Sequence, residues 1–289
     1  MDFVIPLHCM NPMFRSTIEA ISKMYSPEHI YIITPLCEIA KIDYTNWKME
    51  NTFIYCISEE LFFEPISKSD LEMMYTKKDE NSREFGWWYQ QILKMGAARQ
   101  IPNLSDPYMV WDSDLIPIKR WEIYPTEEFP YHRFAILQKE ARSEWNESQY
   151  EKSIWELIGM ETAAPEEGTF VPHHFIMYKS VLEELFEHIE RRYVKPWFIT
   201  IIQLSSKFWR FSEYKCIATY MTEQKPDLLK YHTYDKYGNG IRFRESKPIF
   251  DEIMEFVSTN DIPYERLLEF VYKKWEDVPS YIQLEHLLG

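Results

Sequence analysis

The sequence predicts an α/β fold in which a mixed, mostly parallel sheet is flanked by helices. Short apolar runs that read as strands alternate with a helical pattern from the beginning of the chain, an order typical of α/β proteins. Of the 289 residues, 45% are hydrophobic and 17% are aromatic, so a sizeable core can be buried. From Lys247 onward the apolar spacing is helical, and we expect a helical C-terminal extension on the α/β core.

The individual elements follow from hydrophobic periodicity. Strands are predicted over Phe3–Leu7, His29–Thr34, Thr52–Ile57, Tyr108–Trp111, Arg133–Leu137 and Thr169–Tyr178. Helices are predicted over Arg15–Tyr25, Phe85–Arg99, Ser153–Leu157, Val181–Arg192 and Ser212–Tyr220, and Asp227–Arg244 is predicted to be irregular. The resulting organisation is one α/β domain over residues 1–245 with a helical extension, residues 246–289, packed on it.

The amino-acid composition and net charge limit the binding partners and the cellular compartment that we expect for this protein. A formal net charge of −14 disfavours binding to nucleic acids and to anionic lipid. The N-terminus lacks the basic and apolar regions of a signal peptide, and no run of about 18 apolar residues predicts a transmembrane segment. Four cysteines without a CxxC pair indicate reduced, mostly buried thiols rather than a zinc site. We therefore expect a cytoplasmic protein with no nucleic-acid partner.

The most informative segment is Asp112-Ser113-Asp114, which directly follows the apolar run Tyr108–Trp111. On an extended chain, side chains two residues apart point to the same side, so the two carboxylates can converge. Ligands of open α/β sheets bind beyond the carboxyl ends of strands, and paired carboxylates there suit Mn²⁺ or Mg²⁺. Such a cation would let an acidic protein bind a diphosphate. The alternative is ordinary turn chemistry, because Asp favours loops and caps.

Several segments together resemble GT-A-type glycosyltransferases, and more narrowly a little-characterised group of bacterial and viral glycosyltransferase-like proteins. The resemblance extends from Phe3 to Tyr220 and is carried by Gly86–Ala98 (Gly-Trp-Trp-Tyr-Gln-Gln-Ile-Leu-Lys-Met-Gly-Ala-Ala), Tyr108–Asp114, Val171–Met177, Trp197 and Ser212-Glu213-Tyr214. It implies a GT-A-like (Rossmann-like) fold. It also implies a hexosyl- or pentosyltransferase that moves a sugar from a nucleotide-diphosphate donor to a glycan or other hydroxyl acceptor.

The resemblance further implies roles for single residues. Asp114 would ligate the metal directly, and Asp112 would contact the nucleotide ribose or a metal-bound water. Many GT-A enzymes take a third metal ligand from a C-terminal histidine, for which His232 is the candidate. An inverting transferase needs a carboxylate base for the acceptor hydroxyl, and Glu213 at a helix start fits that role. The helix dipole alone also favours Glu there, and Glu156 is a rival base.

Five further residues are candidates for donor binding. Lys94 and Gln91, on one helix face with Trp87, are expected to reach the diphosphate or ribose, the alternative being a solvated helix face. Arg83 is expected to contact the base or a phosphate. Thr34 and Glu60 end strands and are expected to line the nucleobase pocket, although capping or turn chemistry explains them equally well.

Two other functions compete with the transferase. Another metal-assisted phosphoryl or nucleotidyl transfer also uses paired carboxylates, but no phosphate-binding glycine loop or kinase signature is present. A degenerate transferase fold would instead bind a glycan or nucleotide without catalysis. For that function, or for stacking on a sugar, the aromatic pairs Trp87-Trp88, Trp197-Phe198 and Phe208-Trp209 are available, although most such side chains form cores.

Overall fold

The computed structural model describes residues 1–49, 51–136, 143–165, 168–233, 240–241, 243–257 and 261–284. Within them the chain forms ten strands and ten α-helices. The strands are β1 (Phe3–Pro6), β2 (His29–Thr34), β3 (Phe53–Ser58), β4 (Tyr108–Trp111), β5 (Leu115–Pro117), β6 (Arg133–Ile136), β7 (His174–Met177), β8 (Lys230–Thr233), β9 (Gly240–Ile241) and β10 (Tyr281–Gln283). The helices are α1 (Phe14–Tyr25), α2 (Leu36–Ile39), α3 (Lys68–Met74), α4 (Phe85–Gln100), α5 (Glu144–Ile158), α6 (Lys179–Tyr193), α7 (Trp197–Leu204), α8 (Glu213–Gln224), α9 (Phe243–Val257) and α10 (Tyr264–Lys274).

The largest sheet has five strands in the order β3-β2-β1-β4-β7. Strands β1 and β2 run parallel, with Phe3 opposite Ile30 and Pro6 opposite Ile33. All of β1 and all of β2 except His29 are buried, as expected for strands covered on both faces. Two smaller sheets join β5-β10-β9 and β6-β8. The mostly parallel sheet with flanking helices confirms the predicted fold class.

The chain divides into two compact units. The first comprises Met1–Ile57, Trp111–Glu122 and Tyr234–Gly289, and the second comprises Ser58–Val110 and Ile123–Thr233. The boundary that the sequence suggested, between residues 245 and 246, lies inside α9. The division into a core domain and an extension stays a prediction.

In the first unit, the C-terminal helices α9 and α10 share one hydrophobic core with α1 and β5. Its buried members include Met13, Ala20, Ile116, Ile118, Ile253, Leu267, Val271 and Ile282. The chain then forms β10 antiparallel to β5, with Ile282 opposite Ile116. This strand departs from the helical pattern predicted to the end of the chain, because Pro279 cannot continue a helix. The C-terminal segment thus contributes both helices and a strand to this unit.

The ring of Tyr281 on β10 leaves no room for a side chain at Gly240 of strand β9. A Cβ atom at position 240 would lie 2.0 Å from the Tyr281 ring, far inside van der Waals contact. Only glycine therefore lets β9 and β10 pair in parallel with Gly240 opposite Tyr281.

The second unit is built on helix α4 and large aromatic side chains. Trp88 is buried and stacks on Phe211, with ring centroids 6.0 Å apart. Trp197 stacks on Phe186 at 4.1 Å. These two tryptophans therefore belong to the core, as expected for most of the aromatic pairs.

Some elements differ from the sequence prediction. Helix α5 begins nine residues before the predicted Ser153, because the Ser143 side chain caps it by accepting a hydrogen bond from the backbone of Asn146. It ends at Gly159, which adopts a left-handed φ of 71°. The strand predicted from Thr169 is limited to β7, and β8 lies in the region predicted to be irregular.

The four cysteines are all described in the structure. All four cysteines are free thiols, but only Cys216 is buried, so the expectation of mostly buried thiols was wrong. Burial and then the nearby Glu213 carboxylate raise the pKa of the Cys216 thiol well above its usual range, which keeps it unreactive.

Among the described residues, none of the helices has both the length and the apolar character needed to cross a bilayer.

Candidate active site

The segment Asp112-Ser113-Asp114 lies in the first unit and forms a turn that links β4 to β5. The Leu115 amide donates to the Asp112 carbonyl oxygen over 3.1 Å, which closes the turn. The Thr17 hydroxyl donates to the Ser113 carbonyl oxygen over 3.2 Å, and the Leu284 amide donates to that of Asp114 over 3.1 Å. All three carbonyl oxygens are therefore engaged, so the backbone that carries the two carboxylates is held in place.

This turn corrects the premise that the two carboxylates converge by strand alternation. Strand β4 ends at Trp111, and Asp112, Ser113 and Asp114 are outside any strand. The predicted turn chemistry is therefore present, and Asp112 and Asp114 are half-buried in this turn. A fixed turn with two half-buried aspartates is compatible with ligand binding as well as with capping.

Trp111 occupies the position directly before the carboxylates, and its indole is fully buried. The indole nitrogen donates to the Leu115 carbonyl oxygen over 2.7 Å, and the ring packs near those of Phe3, Tyr25 and Trp121. The large side chain is thus directed into the core of the first unit. It also supports the turn, because Leu115 is the residue that follows Asp114.

Thr34, the last residue of β2, also lies in the first unit and is fully buried. Its hydroxyl oxygen has no hydrogen-bond partner among the described residues. The capping alternative is not supported, since Pro35 is the N-cap of α2 and no side chain caps that helix. A buried hydroxyl without a partner costs free energy, so it marks a position where a ligand could supply the missing bond.

The donor set of the turn is compatible with a hard divalent cation. Carboxylate oxygens are preferred ligands of Mg²⁺ and Mn²⁺, and Mg²⁺ is commonly held by one or two carboxylates plus substrate phosphates and water. Asp112 and Asp114 provide such a pair. Among the described residues, no group of three or more His, Cys, Asp and Glu side chains is arranged to hold a metal ion. His232, the predicted third ligand, lies on β8 in the second unit.

In the second unit, Gln91, Lys94 and Glu213 form one buried cluster. The Lys94 ammonium group pairs with the Glu213 carboxylate at 3.0 Å, and each side chain is only 6% exposed. The Gln91 side-chain oxygen accepts a hydrogen bond from the Glu213 amide over 3.0 Å. The Lys94 ammonium group also lies 4.7 Å from the centroid of the Tyr214 ring. These contacts join the middle of α4 to the first turn of α8.

The cluster excludes the solvated-face alternative for Lys94 and Gln91. Both side chains are almost fully buried, and both are used within the protein rather than directed to solvent. Glu213 occupies the first turn of α8, where Ser212 caps the helix by accepting from the Lys215 amide over 3.2 Å. The ion pair with Lys94 fixes the Glu213 carboxylate at the start of α8, and a carboxylate is a group that can act as a general base.

The rival candidates have contacts typical of surface or turn residues. Glu156 forms an exposed ion pair with Lys207 at 2.7 Å. The Glu60 carboxylate accepts from the Ser58 hydroxyl over 2.6 Å, a local turn interaction. His174, the first residue of β7, is buried, and His173, directly before that strand, is half-buried.

Arg83 does not join the Lys94 cluster through any contact described for it. Its guanidinium carbon lies 5.9 Å from the centroid of the Trp87 ring, and its buried Nε has no hydrogen-bond partner among the described residues. Arg210 lies close enough to Arg83 for their charges to interact: burial, and then the positive charge of Arg83, lower the pKa of the Arg210 guanidinium. Arg210 also lies 5.1 Å from the centroid of the Trp145 ring.

Sequence reasoning did not identify Arg210, Trp145 or the buried pair Glu147–Lys215. The Lys215 ammonium group contacts the Glu147 carboxylate, and both side chains are buried. The Thr169 hydroxyl donates to the same carboxylate over 2.8 Å. A usable signal was the capped start of α5 at Ser143, which extends that helix over Trp145 and Glu147.

The fold and the candidate site define an α/β protein with a braced carboxylate turn at the end of a central strand. The chain belongs to DUF6492, a family of unknown function, whose profile matches residues 12–258. No curated protein matches the sequence. Membership gives no activity, and the resemblance to a bacterial and viral group stays a prediction.

Solved structures similar to this chain are glycosyltransferases. One is mouse xyloside xylosyltransferase 1 in its apo form, with a TM-score of 0.46, 9% identity, and coverage of 99% of this chain and 98% of that chain. Another is the galactosyltransferase LgtC with donor and acceptor sugar analogues, with a TM-score of 0.45, 8% identity, and coverage of 99% and 87%. A third is an active-site mutant of LgtC, with a TM-score of 0.46, 10% identity, and coverage of 99% of this chain and 87% of that chain.

Proposed function

We propose that this protein is a metal-dependent glycosyltransferase that moves a hexosyl or pentosyl group from a nucleotide-diphosphate sugar to a hydroxyl acceptor with inversion. One observation carries the proposal. Asp112 and Asp114 extend from a turn whose three carbonyl oxygens are all hydrogen-bonded, directly after a buried strand. The resemblance of Gly86–Ala98 and Tyr108–Asp114 to GT-A-type enzymes supports the same assignment.

Three residues of the first unit would bind the donor. Asp114 would ligate Mn²⁺ or Mg²⁺, and Asp112 would contact the same cation or the ribose, with His232 as a further candidate ligand. When bound, such a cation stabilises the negative charge that the departing nucleoside diphosphate gains. The Thr34 hydroxyl, which lacks a partner among the described residues, would hydrogen-bond the nucleobase.

Glu213 is the proposed base. It would accept the proton of the acceptor hydroxyl as that oxygen attacks the sugar carbon from the face opposite the leaving group. Lys94 holds the Glu213 carboxylate through its ion pair, and Gln91 holds the Glu213 backbone through its side-chain oxygen. We assign Lys94 and Gln91 to positioning the base, because their polar atoms are used within the protein.

The first experiment is calorimetric titration with UDP, GDP, CMP, dTDP and their sugars, with Mn²⁺ and with EDTA. The proposal expects one nucleotide to bind in the presence of the metal and to lose that binding in Asp114→Ala. Asp106→Ala, which removes an aspartate of the second unit, serves as the matched control and retains binding. Release of nucleoside diphosphate from the sugar donor then tests turnover.

The result also separates the competing functions. Binding of a glycan without any metal-dependent nucleotide binding would favour the non-catalytic alternative over the transferase. Metal-dependent release of inorganic phosphate or pyrophosphate would instead indicate phosphoryl or nucleotidyl transfer. If no nucleotide binds under either condition, the transferase proposal is wrong.

A further inference from the structure

Arg83 and Arg210 carry two positive charges that no acidic side chain compensates within the described residues. Neither guanidinium group forms an ion pair there, although the chain has a net charge of −14. Arg210 donates only to carbonyl oxygens, those of Trp209 at 3.1 Å and Asn81 at 3.4 Å. Holding two like charges near each other without a counter-charge is unfavourable, and a bound anion would remove that cost.

The fold of the second unit places both arginines beside helix starts. Arg83 lies two residues before α4, and Arg210 lies three residues before α8. The stacking of Trp88 on Phe211 holds these two helix starts together. Helix N-termini carry partial positive charge, so the helices add to the field of the two guanidinium groups.

Three indoles surround the same arginines. The ring of Trp145 lies 5.9 Å from that of Trp209, and Trp145 is 45% exposed. Arg210 lies over Trp145, and Arg83 lies over Trp87. Exposed and half-buried indoles beside polar groups are a common platform for sugar rings, whose C–H faces pack on aromatic surfaces.

Two charged residues beside Trp209, Lys78 and Asp79, are engaged within the protein. Lys78 lies 3.7 Å from the centroid of the Trp209 ring and donates to the Lys207 carbonyl oxygen over 2.9 Å. The Asp79 carboxylate accepts from the Trp209 indole nitrogen over 2.6 Å and from the Asn81 amide over 2.9 Å. Asp79 thus orients the Trp209 ring, and it makes no ion pair with either arginine.

We propose that Arg83 and Arg210, with the indoles of Trp87, Trp145 and Trp209, bind a sugar that carries a negative charge. The pyranose ring packs on the indoles, and its phosphate or carboxylate group pairs with the two guanidinium groups. In the proposed transferase this ligand is the acceptor, so the acceptor role rests on the proposed function. The binding itself does not.

The test is titration of the full chain with glucose 6-phosphate and glucuronate in EDTA, with glucose and inorganic phosphate as reference ligands. We expect the charged sugars to bind more tightly than either reference, with an affinity that falls as salt rises. The double variant Arg83→Gln/Arg210→Gln is expected to lose at least about tenfold in affinity for glucose 6-phosphate. Arg192→Gln is the matched control, because Arg192 is an exposed arginine over the ring of Tyr193.

Trp145→Ala provides an independent test at a side chain that is 45% exposed. It is expected to weaken binding of glucose 6-phosphate but not of inorganic phosphate. The proposal is wrong if neither charged sugar binds, or if the double variant binds them as well as Arg192→Gln does.

Two further arms separate this site from the donor site. Asp114→Ala should leave glucose 6-phosphate binding unchanged, so a failure of the transferase proposal and a failure of this one give different results. If UDP in EDTA displaces glucose 6-phosphate and loses its own binding in the double variant, the anion belongs to the donor, as first expected for Arg83. That outcome would overturn the assignment of this site to the acceptor.

Discussion

The amide of Leu284 donates a 3.1 Å hydrogen bond to the carbonyl oxygen of Asp114. Leu284 directly follows β10, which runs antiparallel to β5, and β5 begins at the residue after Asp114. The C-terminal segment therefore contacts the carboxylate turn at its backbone and along the strand that leaves it. This C-terminal segment, which does not resemble known transferases, thus helps to hold the turn that carries the proposed metal ligands.

Removing this amide should weaken the site. Leu284→Pro lacks the donor, and we expect metal-dependent nucleotide affinity to fall by about three- to tenfold, since one backbone hydrogen bond contributes about 0.5–1.5 kcal/mol. Leu284→Ile, which keeps the amide and the volume, should bind like the wild type. Titration well below the unfolding temperature of each variant measures the effect, and equal affinities would show that the turn holds without Leu284.

A second prediction concerns the buried hydroxyl of Thr34. Thr34→Val removes a polar atom without a partner among the described residues, so we expect the free protein to become more stable by about 1 kcal/mol. The same variant should bind the nucleotide more weakly, because the proposed bond to the base is lost. Thermal unfolding and titration measure the two effects, with Thr34→Ser as the control that keeps the hydroxyl. A loss of stability in Thr34→Val would show that the hydroxyl is already satisfied.

The limits of sequence reasoning are visible at the carboxylate turn itself. The sequence alone predicted that an apolar strand is followed directly by Asp112-Ser113-Asp114, because hydrophobicity and turn residues are local signals. The hydrogen bonds from Thr17 and Leu284 to this turn could not be predicted from the sequence. Both residues are distant from the turn along the chain, and a hydroxyl and a backbone amide are donors that occur throughout any sequence. The predicted extended geometry was wrong, because β4 ends at Trp111 and the amide of Leu115 closes a turn on the carbonyl oxygen of Asp112.

The charged residues of α4 and α8 show a related limit. Periodicity put Gln91 and Lys94 on one helix face, which the structure confirms. It gave no information on what covers that face, and the covering residue Glu213 comes from a helix far along the chain. Arg210 was overlooked because single arginines outside motifs carry no local signal, whereas its lack of an acidic partner is evident only in three dimensions.

A third prediction concerns acid sensitivity. Burial lowers the pKa of His132, whose Nδ1 lies 3.3 Å from the Tyr178 hydroxyl. Below about pH 6.5 the unfolded chain therefore binds a proton at this histidine that the folded chain does not, and stability falls as the pH falls. His132→Gln should reduce the loss of unfolding free energy between about pH 7 and pH 5, measured by urea titration. The same substitution at the exposed His8 serves as the control, and equal slopes for both variants would contradict the prediction.

The two buried ion pairs of the second unit allow the base to be tested against a structural counterpart. Glu213 pairs with Lys94, and Glu147 pairs with Lys215, with all four side chains nearly inaccessible. Removing one member of a buried pair costs about 3–5 kcal/mol, whereas replacing both members is often nearly neutral. The double variants Lys94→Met/Glu213→Leu and Lys215→Met/Glu147→Leu replace both members of a pair with apolar side chains of similar volume, and both should therefore fold with unfolding free energies close to that of the wild type.

Only the first double variant should lose sugar transfer, by about 10²–10⁴-fold in kcat, because a general base contributes about that much. Its metal-dependent nucleotide affinity should stay unchanged, since the proposed donor ligands Asp112, Asp114 and Thr34 are untouched. Release of nucleoside diphosphate at saturating donor and acceptor measures the difference, with thermal unfolding of both variants as the check on folding. Equal activity in the two folded double variants would mean that Glu213, like Glu147, serves only to join helices.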